Sequence, residues 1–171
     1  VNAVNLPNTG SFTWDTSTIS AGDYFVCATL KYGYCERSDC SDGKLTINHR
    51  PSLEITKPSV EGESAYGNYI IRWNSNDSDG DPLVTNLFYD TDRDPASMEV
   101  IRLGIRGVNE QLWAIRTLNH GDSAYIYVEV SDGINPPIGL YSPGKITYYI
   151  PGYDCVFDSD CAPNEQCIDW Y

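Results

Sequence analysis

Residues 124–130 read Ala124-Tyr125-Ile126-Tyr127-Val128-Glu129-Val130, with Ala, Ile, Val and Val at every second place and Tyr, Tyr and Glu between them. A period of two over β-branched and aromatic residues is the pattern of a strand with one buried face. Just upstream stands Trp113-Ala114-Ile115-Arg116-Thr117-Leu118-Asn119-His120-Gly121-Asp122, and downstream come Asp132-Gly133 and Lys145-Ile146-Thr147-Tyr148-Tyr149. The same order occurs earlier in the chain. Trp14-Asp15-Thr16-Ser17-Thr18-Ile19-Ser20-Ala21-Gly22-Asp23 leads into Tyr24-Phe25-Val26-Cys27-Ala28-Thr29, then Tyr32-Gly33, then Lys44-Leu45-Thr46-Ile47-Asn48. Both copies keep eight steps from Trp to Gly. The period of about one hundred residues is the size of a seven-stranded sandwich domain.

The second copy reads as complete. Strand-like segments at Leu53–Thr56, Tyr69–Trp73, Leu83–Tyr89, Met98–Leu103, Gln111–Ala114, Ala124–Val130 and Lys145–Ile150 are separated by clusters of Gly, Pro, Asn and Asp. Seven such segments make one β-sandwich. The first copy holds only the counterparts of the last four strands, so its inner face has nothing to pack against. The expected organisation is a partial sandwich over 1–50, a complete sandwich over 51–152 and a Cys-rich tail over 153–171.

Composition agrees with an all-β chain: 13 Tyr and 4 Trp occur among 171 residues. The formal net charge of -13 repels a nucleic-acid backbone and favours cations as partners. No apolar run approaches the roughly 18 residues that span a membrane, so membrane insertion is not expected. The chain opens at Val1 without a charged-then-apolar leader, as a processed or trimmed exported chain would. Six Cys with no CxxC pair and two His point to disulfides and an oxidising compartment; buried free thiols are the competing reading.

Two acidic clusters are candidate metal sites. Asp77, Asp79 and Asp81 alternate around Gly80, and several carboxylates on one turn supply the oxygens a hard cation such as Ca2+ requires. The spacing is not that of an EF-hand, because the glycine falls two places early and Phe88 stands where a bidentate Glu is needed. A solvated acidic turn is the alternative. Asn76-Asp77-Ser78 is also a glycosylation sequon, although a loop wrapped on an ion is a poor acceptor. Asp90, Asp92 and Asp94 repeat the spacing after the strand Leu83–Tyr89, with Arg93 placed to neutralise part of the charge. That strand spans about 23 Å, so the two clusters belong to opposite ends of the sandwich. In sandwich topology the loop Asp132–Asn135 shares an end with Asp77–Asp81, and Asp132 or Asn135 is placed to complete the first site. An ion there would stiffen the junction between the copies. The last strand exits into the tail at the same end as Asp90–Asp94, so Asp154 or Asp158 is placed to join the second.

The stretch Trp73-Asn74-Ser75-Asn76-Asp77-Ser78-Asp79-Gly80-Asp81-Pro82-Leu83, with Phe88-Tyr89-Asp90-Thr91-Asp92, Asp132-Gly133-Ile134-Asn135-Pro136-Pro137 and Tyr141-Ser142-Pro143-Gly144, resembles the immunoglobulin-like or fibronectin-III-like repeats of bacterial and archaeal surface proteins. The resemblance covers residues 53–150 and reaches 1–48 through Trp14-Asp15-Thr16-Ser17. It implies cell-surface, adhesive or filamentous roles, often with calcium, and no shared catalytic chemistry. Among such proteins the arrangement is most similar to subunits of calcium-binding, tanglin-like filaments.

The tail spaces Cys155, Cys161 and Cys167 evenly by six and resembles the small disulfide knots of secreted proteins, without their usual fourth Cys. Cys35 and Cys40 bracket a five-step loop and are expected to pair, which leaves Cys27 with three tail thiols. Full oxidation then requires a bond between the two Cys clusters, more easily made between subunits; a partner Cys beyond Tyr171 or a buried free Cys27 is the alternative.

No GxSxG, HExxH, P-loop or GxGxxG occurs, and Gly121-Asp122-Ser123 loses its Ser in the counterpart Gly22-Asp23-Tyr24. His49 and His120 have no nucleophile nearby in the sequence, and Trp14 and Trp113, at matching places, read as core anchors. The expectation is a non-enzymatic extracellular or cell-surface protein, the protomer of a head-to-tail filament stabilised by calcium and by strand complementation between subunits. The alternative is a spacer, an adhesive module or a glycan-binding module of a longer surface protein or secreted enzyme.

Overall fold

The computed structural model describes residues 5–7 and 9–150. The chain divides into two compact units, Val1–His49 and Arg50–Tyr171. Among the described residues every regular element is a strand, and no helix is long and apolar enough to cross a membrane.

In the first unit β1 (Gly22–Tyr24), β2 (Cys27–Tyr32), β3 (Cys35–Cys40) and β4 (Leu45–Ile47) form two antiparallel pairs, β1 with β4 and β2 with β3. The run expected as one strand from Tyr24 breaks at Phe25-Val26, and the residues around Trp14 form no strand. The two-residue turn Gly33-Tyr34 closes the hairpin, with Gly33 at φ +57°, a conformation that side chains with a Cβ resist. That turn fixes the register so that Cys27 stands opposite Cys40, and the two form a disulfide. The expected Cys35–Cys40 bond is therefore corrected. Five steps along one strand separate those residues by about 16 Å, well beyond the reach of about 7 Å between Cα atoms that a disulfide tolerates. Cys35 is a free, exposed thiol.

The second unit contains β5 (Ser52–Lys57), β6 (Glu63–Tyr66), β7 (Asn68–Asn76), β8 (Val84–Asp90), β9 (Glu99–Ile105), β10 (Glu110–Ala114), β11 (Ser123–Ser131), β12 (Ile138–Tyr141) and β13 (Ile146–Tyr149). β7 pairs antiparallel with β5 and β10. β11 pairs with β8, β12 and β13, β8 with β9, and β13 runs parallel to β6. A single pair, Tyr66 with Asn68, joins β6 to β7. The expected alternation is present: β11 buries Ala124, Ile126, Val128 and Val130, and β7 buries Tyr69, Ile71 and Trp73. These side chains meet in one core with Leu87, Tyr89, Trp113 and Ile146. Tyr89 of β8 stacks on Trp113 of β10 at 5.0 Å between centroids, an offset contact that ties together strands not paired in any ladder. The unit is an all-β sandwich. The segment expected at Lys145–Ile150 is realised as β13, preceded by β12, and β6 is an additional strand.

Candidate metal centre

β7 ends at Asn76 and β8 begins at Val84, and the loop between them carries the first acidic cluster. β11 ends at Ser131, so Asp132 opens the neighbouring loop. Because β7 and β11 deliver their ends to the same region, the carboxylates of Asp77, Asp81 and Asp132 converge, with one ligand oxygen from each within 4.8 Å of the others. Asp79 is not part of that group; its backbone N–H donates to Asp77 Oδ1 at 2.8 Å.

Local hydrogen bonds set the orientation of each carboxylate. Asp77 Oδ1 accepts from Asp79 N–H and, at 3.4 Å, from Asp81 N–H, folding the loop around its own side chain. Asp132 Oδ1 accepts from the N–H groups of Ile134 (2.9 Å) and Asn135 (2.8 Å), and its Oδ2 accepts from Asn135 Nδ2 at 2.9 Å. Asn135 is thus a positioning partner of Asp132. Burial pushes the Asp132 carboxyl up, but these donors outweigh burial and hold it below its ordinary value. Asp132 is 6% exposed. The outer oxygens Asp77 Oδ2 and Asp81 Oδ2 are buried and have no hydrogen-bond partner, a costly state for polar atoms. Three carboxylates at this spacing repel one another by on the order of 3 kcal/mol per pair at an effective dielectric near 20. A bound cation would relieve both costs. With cation–oxygen distances near 2.4 Å, oxygens on opposite sides of one Ca2+ lie about 5 Å apart, which matches the observed span. The residues present fit a hard cation.

The second cluster is built differently. Asp90 ends β8 on the outer face, 2% exposed, and its Oδ2 accepts from Tyr141 Oη at 2.6 Å. Asp90 Oδ1 accepts from Asp92 N–H, Asp92 Oδ1 from Asp94 N–H and Asp94 Oδ1 from Ala96 N–H, a ladder of Asx turns. The Ser97 hydroxyl lies 3.2 Å from Asp90 Oδ1 and 2.9 Å from Asp92 Oδ1. Burial pushes the Asp90 carboxyl up, and Tyr141, Asp92 and Ser97 together hold it low. The Arg93 guanidinium lies over the Tyr125 ring at 4.0 Å, with Lys145 Nζ at 4.9 Å from the same centroid. Protein donors reach both Asp90 oxygens and Oδ1 of Asp92 and Asp94, and Asp90, Asp92 and Asp94 do not converge as Asp77, Asp81 and Asp132 do. The expected contributors Asp154 and Asp158, and the cysteines Cys155, Cys161 and Cys167, lie outside the described residues.

One polar device was not anticipated from the sequence. Ser142 Oγ accepts from Ile126 N–H at 3.0 Å and donates to Gly144 O at 2.7 Å, while Ser142 N–H donates to Ile126 O at 2.7 Å. The first unit repeats it: Ser41 Oγ accepts from Val26 N–H and donates to Gly43 O, and Ser41 N–H donates to Val26 O. The signal was the pair Ser-x-Gly-Lys at 41–44 and 142–145, beside the matched Lys44 and Lys145.

No family model matches the chain, and no curated protein matches its sequence. A solved structure described as a nucleoside hydrolase-related hypothetical protein from Saccharophagus degradans, associated with carbohydrate metabolism, overlaps 60% of this chain at 17% identity and a TM-score of 0.39. The overlap covers 26% of that protein's own length, and likeness at this level carries no argument about fold or activity.

Proposed function

We propose that the chain is an extracellular, non-enzymatic structural protein built from immunoglobulin-like or fibronectin-III-like repeats, that Asp77, Asp81 and Asp132 hold a calcium ion, and that copies assemble head to tail by completing one another's sandwiches. The convergence of three carboxylates with two buried, unpartnered oxygens carries the reading. The split of the leading edge into β5, on the β7 sheet, and β6, parallel to β13, supports an immunoglobulin-like arrangement. The Cys27–Cys40 bond supports an oxidising compartment. A cleft of about 340 Å3 lined by Ser75, Leu83, Thr85, Ile105, Gly107, Val108 and Asn109 offers no titratable side chain for chemistry.

Calcium is tested on metal-free full-length chain by thermal unfolding with added Ca2+, Mg2+ or chelator. Ca2+ at one hundred times its dissociation constant stabilises by about 2.7 kcal/mol, so the midpoint rises in the wild type and stays fixed in Asp81→Asn. A wild-type midpoint that Ca2+ leaves unmoved would overturn the calcium assignment.

A further inference from the structure

The repeat shows which strands have no counterpart among the described residues of the first unit. In the second unit β11 is paired on both sides, with β12 along one edge and with β8 over Tyr125 to Ser131 along the other. Its counterpart β2 pairs with β3, and among the described residues no strand pairs with its other edge. The inner face is open as well: Val26, Leu30 and Leu45 are 46%, 60% and 41% exposed. An open edge beside an open apolar face is a seat for an added strand.

We infer that this seat takes the tail segment Tyr153–Asp158 of a second copy, added as a strand along the free edge of β2. The inference rests on the head-to-tail reading above. Residues 153–158 read Tyr-Asp-Cys-Val-Phe-Asp, which sets Tyr153, Cys155 and Phe157 on one side of an extended strand and Asp154, Val156 and Asp158 on the other. The apolar side matches the face carrying Ala28, Leu30 and Tyr32. The acidic side then falls on the polar face of β2 that carries Thr29 and Lys31, where the Lys31 ammonium also pairs with Glu36 of β3 at 3.1 Å. The hairpin register puts the free Cys35 opposite Tyr32, on the face that Cys155 would join. Because donor and acceptor are different surfaces, the contact is heterologous and propagates instead of closing as a dimer.

Sedimentation velocity of the oxidised full-length chain over a concentration series tests this, with Leu30→Asp removing the acceptor and Phe157→Asp the donor. Leu30 is exposed, so its substitution leaves the unit folded, and far-UV circular dichroism checks that. Wild type is expected to form assemblies larger than dimers, each variant alone to remain monomeric, and an equimolar mixture to stop at one-to-one dimers, because each variant retains the surface its partner has lost. Wild type that assembles while both variants assemble equally overturns the tail inference and leaves the head-to-tail reading standing. A mixture that stays monomeric overturns it in favour of a contact between like surfaces. Wild type that is monomeric throughout removes the self-association reading itself, and this inference with it.

Discussion

Two copies of one device sit in opposite environments. Ser142 joins Ile126 to Gly144 and is fully buried, whereas Ser41 joins Val26 to Gly43 through the same bonds and is exposed. Around the first, Ile126, Val130 and Ile146 are 0% exposed; around the second, Val26, Leu30 and Leu45 are open. A Cβ on Gly144 would run into the backbone of Val60 and Glu61, while a Cβ on Gly43 would meet nothing within 4 Å. Val60 and Glu61 belong to the connection between β5 and β6, which has no counterpart among the described residues of the first unit. The hydrogen bonds of the repeat therefore form locally, and its burial depends on strands from outside the local segment. The local geometry survives without the buried core.

Matched substitutions break this comparison most sharply at the hydrophobic position. Ile126→Ala empties a closed core and should cost about 2–5 kcal/mol, whereas Val26→Ala removes exposed methyls and should shift stability by about 0.5 kcal/mol or less. Urea unfolding of both variants reads the difference. Similar losses at the two positions would mean that Val26 is covered in solution, as strand addition to the first unit requires, so measurement on assembled and on monomeric protein sharpens the contrast.

The glycines come next. Gly144→Ala forces a methyl against backbone that cannot rotate aside, a strain of about 1–3 kcal/mol. Gly43→Ala meets open space and is expected to be neutral or to stabilise by up to about 1 kcal/mol through the unfolded chain. Thermal unfolding midpoints of the two single variants check the ordering, and a costly Gly43→Ala would again place a covering strand over the first unit.

How much of this was legible in the sequence follows from what each feature depends on. The alternation at 124–130 depends only on period two, and the strand appeared where it was expected. β6 was not legible, because Glu63-Ser64-Ala65-Tyr66 carries one small buried residue, Ala65, and owes its strand conformation to parallel pairing with β13. The Cys27–Cys40 bond was missed because it follows from hairpin register, not from closeness in sequence. For the metal centre, carboxylate spacing pointed to the right loop but not to the right subset. Asp77 and Asp81 converge with Asp132 while Asp79 does not, since the loop curls around Asp77 Oδ1. Asp90, Asp92 and Asp94 show the same one-three-five spacing with a different outcome. There the carboxylates are drawn into successive turns and onto Ser97 and Tyr141, the latter remote in the chain, and do not converge as the first three do.

The smallest effect separates the units by pH. In the first unit Asp23 is held low by the Thr46 hydroxyl and by Lys44, in full solvent, where screening leaves little stability to gain. In the second unit Asp90 is buried and still held low, and Glu63, pushed up by burial, is held low by Tyr69 and the Ser59 N–H. A carboxyl whose folded pKa lies below its unfolded value contributes stability that is complete above the unfolded value, near 4, and is lost as pH falls through the folded one. The thermal midpoint of metal-free protein should therefore hold between pH 7 and pH 5 and fall below about pH 4. Asp90→Asn keeps an acceptor for the Tyr141 hydroxyl but has no proton to take up, so its midpoint should fall less steeply over the same range, while Asp23→Asn should follow the wild type. Parallel acid profiles for all three proteins would show that the buried Asp90 carboxylate does not distinguish the complete unit from the open one.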